Sequence, residues 1–404
     1  METPERVIIV GAGVGGLSTA AALKKVGIDV AVFDRHPALT DVGCVQIWSN
    51  GMVALHELGV SEMMIERGLV MEEQVFRTGK GKVMMRAPVR EIARSHGSLP
   101  PVNIRRLDMI KTVFESLDEG IVRFGTKCVD FEQDDVGVTV RFEDGSEERG
   151  RALIGADGIL STIRAQLGGS AARASGAQVT RALLPFEHPA IPAGTFILTF
   201  GGPSRFGLIH TSPDVLCWFG IFLAPPGTKD GPAGRKAELL ERYRDFPAPI
   251  ADVIDGTPEE TIYRADISDI VPQSRWGEGR VTLLGDAAHA ATPYLGRGAG
   301  EAVEDSLVVA GCLGRAGSLT DGSVVAAALR EYERVRKPAA QRTQNMAWRF
   351  GKVGAWSNPV AYKLRDSLMS TVGRRAIHKA IHTEFGELGK KVSALDTGIP
   401  DAAR

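Results

Sequence analysis

The junction Arg6-Val-Ile-Ile-Val10 followed by Gly11-Ala-Gly-Val-Gly-Gly16 constrains this chain more than any other stretch of it. A short β-branched apolar run reads as a buried parallel strand, and the Ala-rich stretch Leu17 to Val26 reads as the helix after it. Gly11 allows the tight turn, Gly13 lets the backbone approach a pyrophosphate, and Gly16 lets helix and strand pack closely. The helix start, with Val14 and Gly15 in its first turn, offers unpaired N–H groups to phosphate. Asp29-Val-Ala-Val-Phe33 reads as a second strand, and it ends in Asp34, 18 residues after Gly16, where an acid that binds a ribose hydroxyl is expected. Arg35 comes next, either as a contact for a 2′-phosphate or as an exposed side chain. Strand, turn, helix, strand and acid together predict dinucleotide binding.

A second glycine segment narrows the class. Val281-Thr-Leu-Leu284 reads as another buried strand, feeding Gly285-Asp-Ala-Ala-His-Ala-Ala-Thr-Pro-Tyr-Leu-Gly-Arg-Gly-Ala299. Asp286, directly after the strand, is placed to accept hydrogen bonds from ribityl hydroxyls. Gly296, Arg297, Gly298 and Ala299 open the next helix, whose N–H groups would face the ring edge on which negative charge accumulates when a flavin is reduced. A simple nicotinamide dehydrogenase needs no such second site, so the pair of segments predicts a flavin enzyme. His289, inside this segment, reads as a structural hydrogen-bonding residue.

Composition excludes other classes. The 404 residues, 44% hydrophobic and 24% charged, are enough for two or three cores. Lys plus Arg is 48 against 49 Asp plus Glu, and the net charge of −1 predicts no nucleic-acid partner. The first strand begins within six residues of Met1, and no apolar run reaches the ~18 residues of a membrane span, so neither signal peptide nor transmembrane segment is expected, and a cytoplasmic protein is. Cys44, Cys128, Cys217 and Cys312 are far apart and form no CxxC, which predicts neither a zinc cage nor a disulfide framework. His378 and His382 stand at i, i+4, but without a neighbouring Glu or a third ligand no metal is expected.

Along the chain the texture predicts an α/β protein: a Rossmann-like domain with an inserted, mostly antiparallel β-sheet domain and a C-terminal helical segment. The first domain is assigned to 1–75, 101–177 and 277–345, the second to 76–100 and 178–276, and the helical segment to 346–404. Residues 76–100 read as irregular. A helix is expected from Asp108 to Asp118, with strands at Ile121–Phe124, Lys127–Gln133 and Gly137–Glu143. Thr195–Phe200, Phe206–His210 and Val215–Phe222 are aromatic and β-branched runs between Gly, Pro and Asp turns, which predict the antiparallel sheet. From Glu301 onward the chain reads as helical, and its basic run from Arg330 to Lys352 as a solvated helix face.

With these segments in view, the chain resembles the single-component FAD-dependent aromatic hydroxylases of the para-hydroxybenzoate hydroxylase type, above all their salicylate hydroxylase-like and 6-hydroxynicotinate monooxygenase-like members. Three ordered motifs carry the resemblance over nearly the whole chain: Gly11–Gly16, the Asp-Gly motif in Ala152-Leu-Ile-Gly-Ala-Asp157-Gly158-Ile-Leu-Ser161-Thr-Ile-Arg164, and the Gly-Asp motif from Gly285. The resemblance implies that Asp157 and Gly158 hold the pyrophosphate side of FAD and help handle NADH or NADPH, which has no Rossmann domain of its own here. It implies that Arg106 of Ile104-Arg-Arg106 contacts FAD, with Arg105 as the other candidate. The segment Val42 to Asn50, with Gln46 and Trp48, lies along the isoalloxazine, and Pro293 lies beside the reactive flavin carbon. Departures from the family pattern stand at Cys44, Gln46, Arg297 and Gly300, and Arg297 reads either as an aid to an anionic substrate near the flavin or as a surface arginine.

The implied reaction has two halves. A nicotinamide cofactor reduces FAD, then O₂ forms a flavin C4a-hydroperoxide that hydroxylates an electron-rich aromatic or heteroaromatic ring. The protein must exclude water and deprotonate a phenol. His210 is the candidate base, and Trp48, Phe206, Cys217, Trp218 and Phe219 are candidate substrate contacts, although a core role suits each of them too. A halogenase would require a WxWxIP signature, which is absent. The remaining alternatives are an epoxidase or reductase acting on an isoprenoid alkene, and a non-catalytic FAD-binding protein. The expected state is monomer or homodimer.

Overall fold

The computed structural model describes residues 4–40 and 43–373, together with Arg375, Lys379, Ile381 and His382. The strand Arg6–Val10 has partners on both sides, Asp29–Phe33 and Ala152–Gly155, both parallel. The sheet continues through Val281–Leu283 on one side and Val122–Arg123 on the other, with Gly277–Glu278 antiparallel at the edge. Helices cover it, as parallel strands buried on both faces require. The first helix, Val14–Lys25, packs against Gly298–Ala316, which in turn packs against Ser49–Glu57 and the long helix Gly322–Gly354. The division expected at residue 345 falls inside that long helix.

A second sheet of seven strands has the order Tyr263–Ile270, Ala172–Pro185, Val215–Leu223, Ser204–Ser212, Thr195–Gly201, Glu73–Thr78, Val83–Ala87. It is antiparallel except where Thr195–Gly201 runs parallel to Glu73–Thr78. Its two faces have different fates. Val75, Ile197, Phe206, Leu208, Trp218 and Phe222 pack beneath the helices Arg235–Tyr243 and Ile250–Gly256, while Phe76, Phe196, Leu198, Phe200 and Ile209 face the other way. Residues 76–100, expected to be irregular, instead form the hairpin Glu73–Thr78/Val83–Ala87 and a helix Val89–Ser95. Val89, Ile92 and Ala93 give that helix a buried stripe at i, i+3, i+4 behind Pro88.

A three-stranded sheet of Cys44–Ile47, Val102–Arg105 and Leu69–Val70 joins the two bodies. Another, of Cys128–Gln133, Val138–Phe142 and Glu147–Gly150, realises the turn at Glu143–Ser146. Expected and observed elements otherwise differ at their ends: the helix expected over 108–118 runs Arg106–Phe114. After Gly354 a helix Pro359–Leu368 follows, capped by Asn358. No helix among the described residues is long and apolar enough to cross a membrane.

Candidate active site

Three motif turns leave three adjacent parallel strands at the same edge: Gly11 after Arg6–Val10, Asp157 after Ala152–Gly155, and Gly285 after Val281–Leu283. The carboxyl edge of an open parallel sheet is where ligands bind in such folds. Gly11 has φ +112°, and a Cβ there would lie 2.3 Å from the Ala156 carbonyl oxygen, so the first turn nests against the second. A Cβ on Gly16 would lie 1.8 Å from the Gly11 oxygen. On Gly13 it would meet nothing within 4 Å, because Gly13 faces an open cleft. Gly15 packs on Leu284, just past the third strand, and Val14 is buried.

That cleft, of about 250 Å³, is lined by Gly11, Gly13, Asp34, Arg35, Arg106, Asp157 and Gly158 among others. Asp34 is fixed by two backbone donors, Ala12 N to Oδ2 at 2.7 Å and His36 N to Oδ1 at 2.8 Å, and its remaining lone pairs are left for a ligand. Arg106 rather than Arg105 lines the cleft; Arg105 is exposed and pairs with Asp108 at 3.8 Å. Asp157 reaches the first turn of the short helix Thr162–Gln166, which Ser161 caps: its Oδ2 accepts from Thr162 N at 2.7 Å, while Oδ1 is buried with no partner. Burial pushes the Asp157 carboxyl up, against the hydrogen bonds that oppose it. An orphaned buried acceptor beside an open helix N-terminus suits a pyrophosphate-bearing dinucleotide with ribose hydroxyls, so these residues fit the ADP half of FAD.

The third turn is held from behind. Asp305 Oδ2 accepts from Gly285 N at 3.1 Å and from His289 Nε2 at 2.5 Å, and Oδ1 accepts from Arg336 Nε at 2.6 Å. Arg336, itself buried, also reaches Glu301 Oε2 at 2.7 Å and Glu304. In front of this cluster Asp286 is exposed, with its Oδ1 3.9 Å from where a Cβ on Gly298 would stand. A free carboxylate beside the first turn of Gly298–Ala316 fits a polyol chain ending in a ring at that helix N-terminus. Ala299, also in that turn, is half-buried, and Pro293 is exposed in the loop ahead of it. Gly296 is left-handed at φ +65°, and a Cβ there would lie 3.3 Å from both Gln46 Oε1 and Trp48 Nε1. Strand Cys44–Ile47 and Trp48 after it are thereby laid along the Gly296 loop.

Two departures from the family pattern acquire physical reasons. Arg297 turns its Nε toward buried Glu301, 3.4 Å from Oε1. Gly300 is where Gly298–Ala316 crosses Ser49–Glu57: a Cβ on Gly51 would lie 3.0 Å from Gly300 Cα, and one on Gly300 3.1 Å from Asn50 Nδ2.

The sheet facing this site corrects part of the sequence reading. Pairing of Gly207 with Phe219 and Ile209 with Cys217 puts Cys217 and Phe219 on the face toward the strand Cys44–Ile47. His210, Phe206 and Trp218 alternate onto the opposite face. His210 Nε2 meets the Phe186 carbonyl at 3.1 Å, Trp218 Nε1 donates to Thr257 Oγ1 at 2.9 Å, and Phe206 stacks on Trp218 at 5.3 Å. These three belong to the core under the insert's helices and are removed from the candidate base and substrate contacts. Sequence reasoning missed Arg181 and Arg205, which share the site-facing side. Arg205 donates to the Gly351 carbonyl at 2.9 Å and lies against Tyr294 and Phe350, tying the sheet to the long helix. At the C-terminal end His382 meets His96 at 3.1 Å, and His378 lies outside the described residues.

Comparison with known proteins agrees with this geometry. The chain is 34% identical over 371 residues to an aurachin C monooxygenase/isomerase of Stigmatella aurantiaca, covering 91% of this chain and 94% of that protein. It is 31% identical over 388 residues to the 3-amino-4-hydroxybenzoate 2-monooxygenase PtmB3 of Streptomyces platensis, covering 91% and 93%. Klebsiella pneumoniae HpxO, solved with FAD and uric acid, superposes with a TM-score of 0.86 at 27% identity over 94% of this chain and 96% of HpxO. The profile of the FAD binding domain matches residues 5–347, and the chain belongs to that family.

Proposed function

We propose that this protein is an FAD-dependent, NAD(P)H-consuming monooxygenase that places one oxygen atom of O₂ on a small aromatic or heteroaromatic ring. The observation that carries this reading is the convergence of three glycine-and-acid turns at one sheet edge, directly opposite an aromatic sheet face. The names of relatives point the same way, since one acts on an aminohydroxybenzoate and another was solved with uric acid.

Bound FAD supplies the redox chemistry, taking a hydride from a nicotinamide and activating O₂. The chain's part is binding, orientation and exclusion of water. Gly11, Gly13 and the N–H groups of Val14, Gly15 and Gly16 hold the pyrophosphate, Asp34 the adenosine ribose, and Asp157, Gly158 and Arg106 the linker; Arg35 sits at the rim. Asp286 holds the ribityl chain, and the first turn of Gly298–Ala316 stabilises negative charge on the pyrimidine edge. Gln46, Trp48, Cys217 and Phe219 wall the ring's surroundings, and Pro293 closes the loop beside it. The aromatic face keeps water from the reacting atoms. A cytoplasmic monomer or homodimer using either NADH or NADPH completes the reading.

The test is a panel of aromatic acids, phenols and N-heteroaromatic compounds, scored by stimulated NADH and NADPH oxidation with O₂ uptake on FAD-loaded protein. A compound that stimulates both supports the reading. A protein that binds no flavin on addition ends it.

A further inference from the structure

Arg181 stands on the strand Ala172–Pro185 between Phe219 and Tyr263, its register partners on the two neighbouring strands. Alternation puts it on the same face as Cys217, toward the strand Cys44–Ile47. Contact across the gap is close. A Cβ on Gly43 would lie 3.0 Å from Arg181 Cδ and 3.1 Å from Nε, and Gly43 has φ +95°, a backbone conformation that favours glycine. The guanidinium lies 4.9 Å from the Tyr263 ring centroid.

Among the described residues its charge meets the Tyr263 ring and no carboxylate. Arg181 Nε is buried with no hydrogen-bond partner, and no carboxylate pairs with Arg181 among the described residues. The Nε atoms of Arg205 and Arg264 are buried without a partner too, but each of those side chains, like Arg173, is held at another atom. Arg173 pairs with Asp269 at 2.8 Å, Arg264 with Glu238 at 2.6 Å, and Arg205 donates to Gly351 O at 2.9 Å. Cys44, whose thiol feels Arg181, gives no counter-charge. A hydrogen bond with Cys217, then burial, pushes the Cys44 thiol well up, against the pull of Arg181, so Cys44 stays neutral at physiological pH. Trp48 Nε1, at the end of the same strand, is a second buried donor without an acceptor.

We propose that Arg181 is an oxyanion-recognising residue of this cleft, receiving a carboxylate, an ionised phenol or a phosphate of a planar ligand. A guanidinium fork matches any of these in a bidentate way, and an unpaired buried donor is costly until one arrives. Two sources carry that chemistry: an acidic ring substrate, an arm that rests on the proposed monooxygenase function, and the phosphates of the nicotinamide dinucleotide.

Calorimetric binding to FAD-loaded protein separates the sources and needs no turnover, so a failure of the monooxygenase reading leaves it readable. The probes are 4-hydroxybenzoate, 3-amino-4-hydroxybenzoate, urate, NADH and NADPH, with neutral 4-hydroxybenzamide as control. In Arg181→Gln, affinity for at least one anion falls by about tenfold or more while the amide changes by less than about twofold. Loss confined to the ring acids assigns the site to the substrate, and loss confined to NADH or NADPH assigns it to the dinucleotide. FAD content and the unfolding midpoint report whether the variant folds. If it does not, Arg181→Lys, which keeps the charge and loses the fork, carries the test with a loss of about threefold or more. The proposal is overturned if no anion binds the parent protein, or if every anion that does binds the folded variant equally well.

Discussion

Asp305→Asn probes the structure behind the third turn. Asp305 is fully buried and takes hydrogen bonds from Gly285 N, His289 and Arg336. Burial alone would raise its carboxyl; the charges of His289 and Arg336 outweigh burial and hold it down at about 2. Against an unfolded value of ~3.9, the difference corresponds to roughly 2–3 kcal/mol of stability at neutral pH. Because the folded value is depressed, this contribution is present above about pH 4 and is lost as pH falls toward about 2. Asparagine keeps the shape and removes the charge. Glu301 and Glu304 still face Arg336, so no bare cation is left, and the expected loss stays at roughly 2–4 kcal/mol. Urea unfolding of parent and variant at several pH values is the assay. The gap should be full at pH 7, narrow from about pH 4 toward about pH 2, and leave the m-value unchanged. FAD retention should fall with it, since the Gly285 turn loses its anchor. A variant within about 0.5 kcal/mol of the parent at pH 7, or a gap that does not narrow with acid, refutes the reasoning.

Asp286→Ala, which removes an exposed carboxylate and no packing, should lower FAD retention with an unchanged apoprotein melting point; unchanged FAD occupancy in dialysed protein would count against the ribityl assignment. Gly51→Ala places a methyl 3.0 Å from Gly300 Cα and should cost about 1–3 kcal/mol in urea unfolding, whereas an unaffected protein would mean that the helix crossing has slack. His210→Ala should lower stability by about 1–3 kcal/mol and leave the KM of any substrate found unchanged, while Phe219→Ala should raise that KM; steady-state kinetics showing the reverse would restore His210 to the site. For His289, burial works to lower the imidazole's pKa but Asp305 carries it above its ordinary value, so its contribution is complete below ~6.5 and fades as pH rises through the folded value. Unfolding midpoints of His289→Gln and the parent should therefore converge toward alkaline pH.

The three turns were legible because each needs glycine or an acid at a fixed backbone position next to an unbroken β-branched strand. Asp34 and Asp286 were singled out by that spacing, and the structure sets both beside those turns. The facing of the second sheet was not legible. Phe206–His210 and Val215–Phe222 are apolar on both faces because one face meets helices and the other meets the first domain, so alternation gave no polar side to choose. Arg181 became a candidate only through the pairing of Leu183 with Cys217 and Arg181 with Phe219. The inward turn of Arg297 had a local signal, Glu301 four residues on, that spacing rules could have caught. Gly300 had none, since its reason is Gly51, remote in sequence. The helix Val89–Ser95 was hidden by its charges, although its buried positions keep helical spacing.

The central claim is that bound FAD and this aromatic sheet face together insert one oxygen atom from O₂ into a ring. Turnover under ¹⁸O₂ with NAD(P)H and the most stimulating compound of the panel, followed by product mass, tests it most directly. The account predicts a product heavier by one ¹⁸O atom, with that label lost when FAD is withheld. NAD(P)H oxidation that yields only hydrogen peroxide across the whole panel, or product oxygen drawn from water, would contradict it.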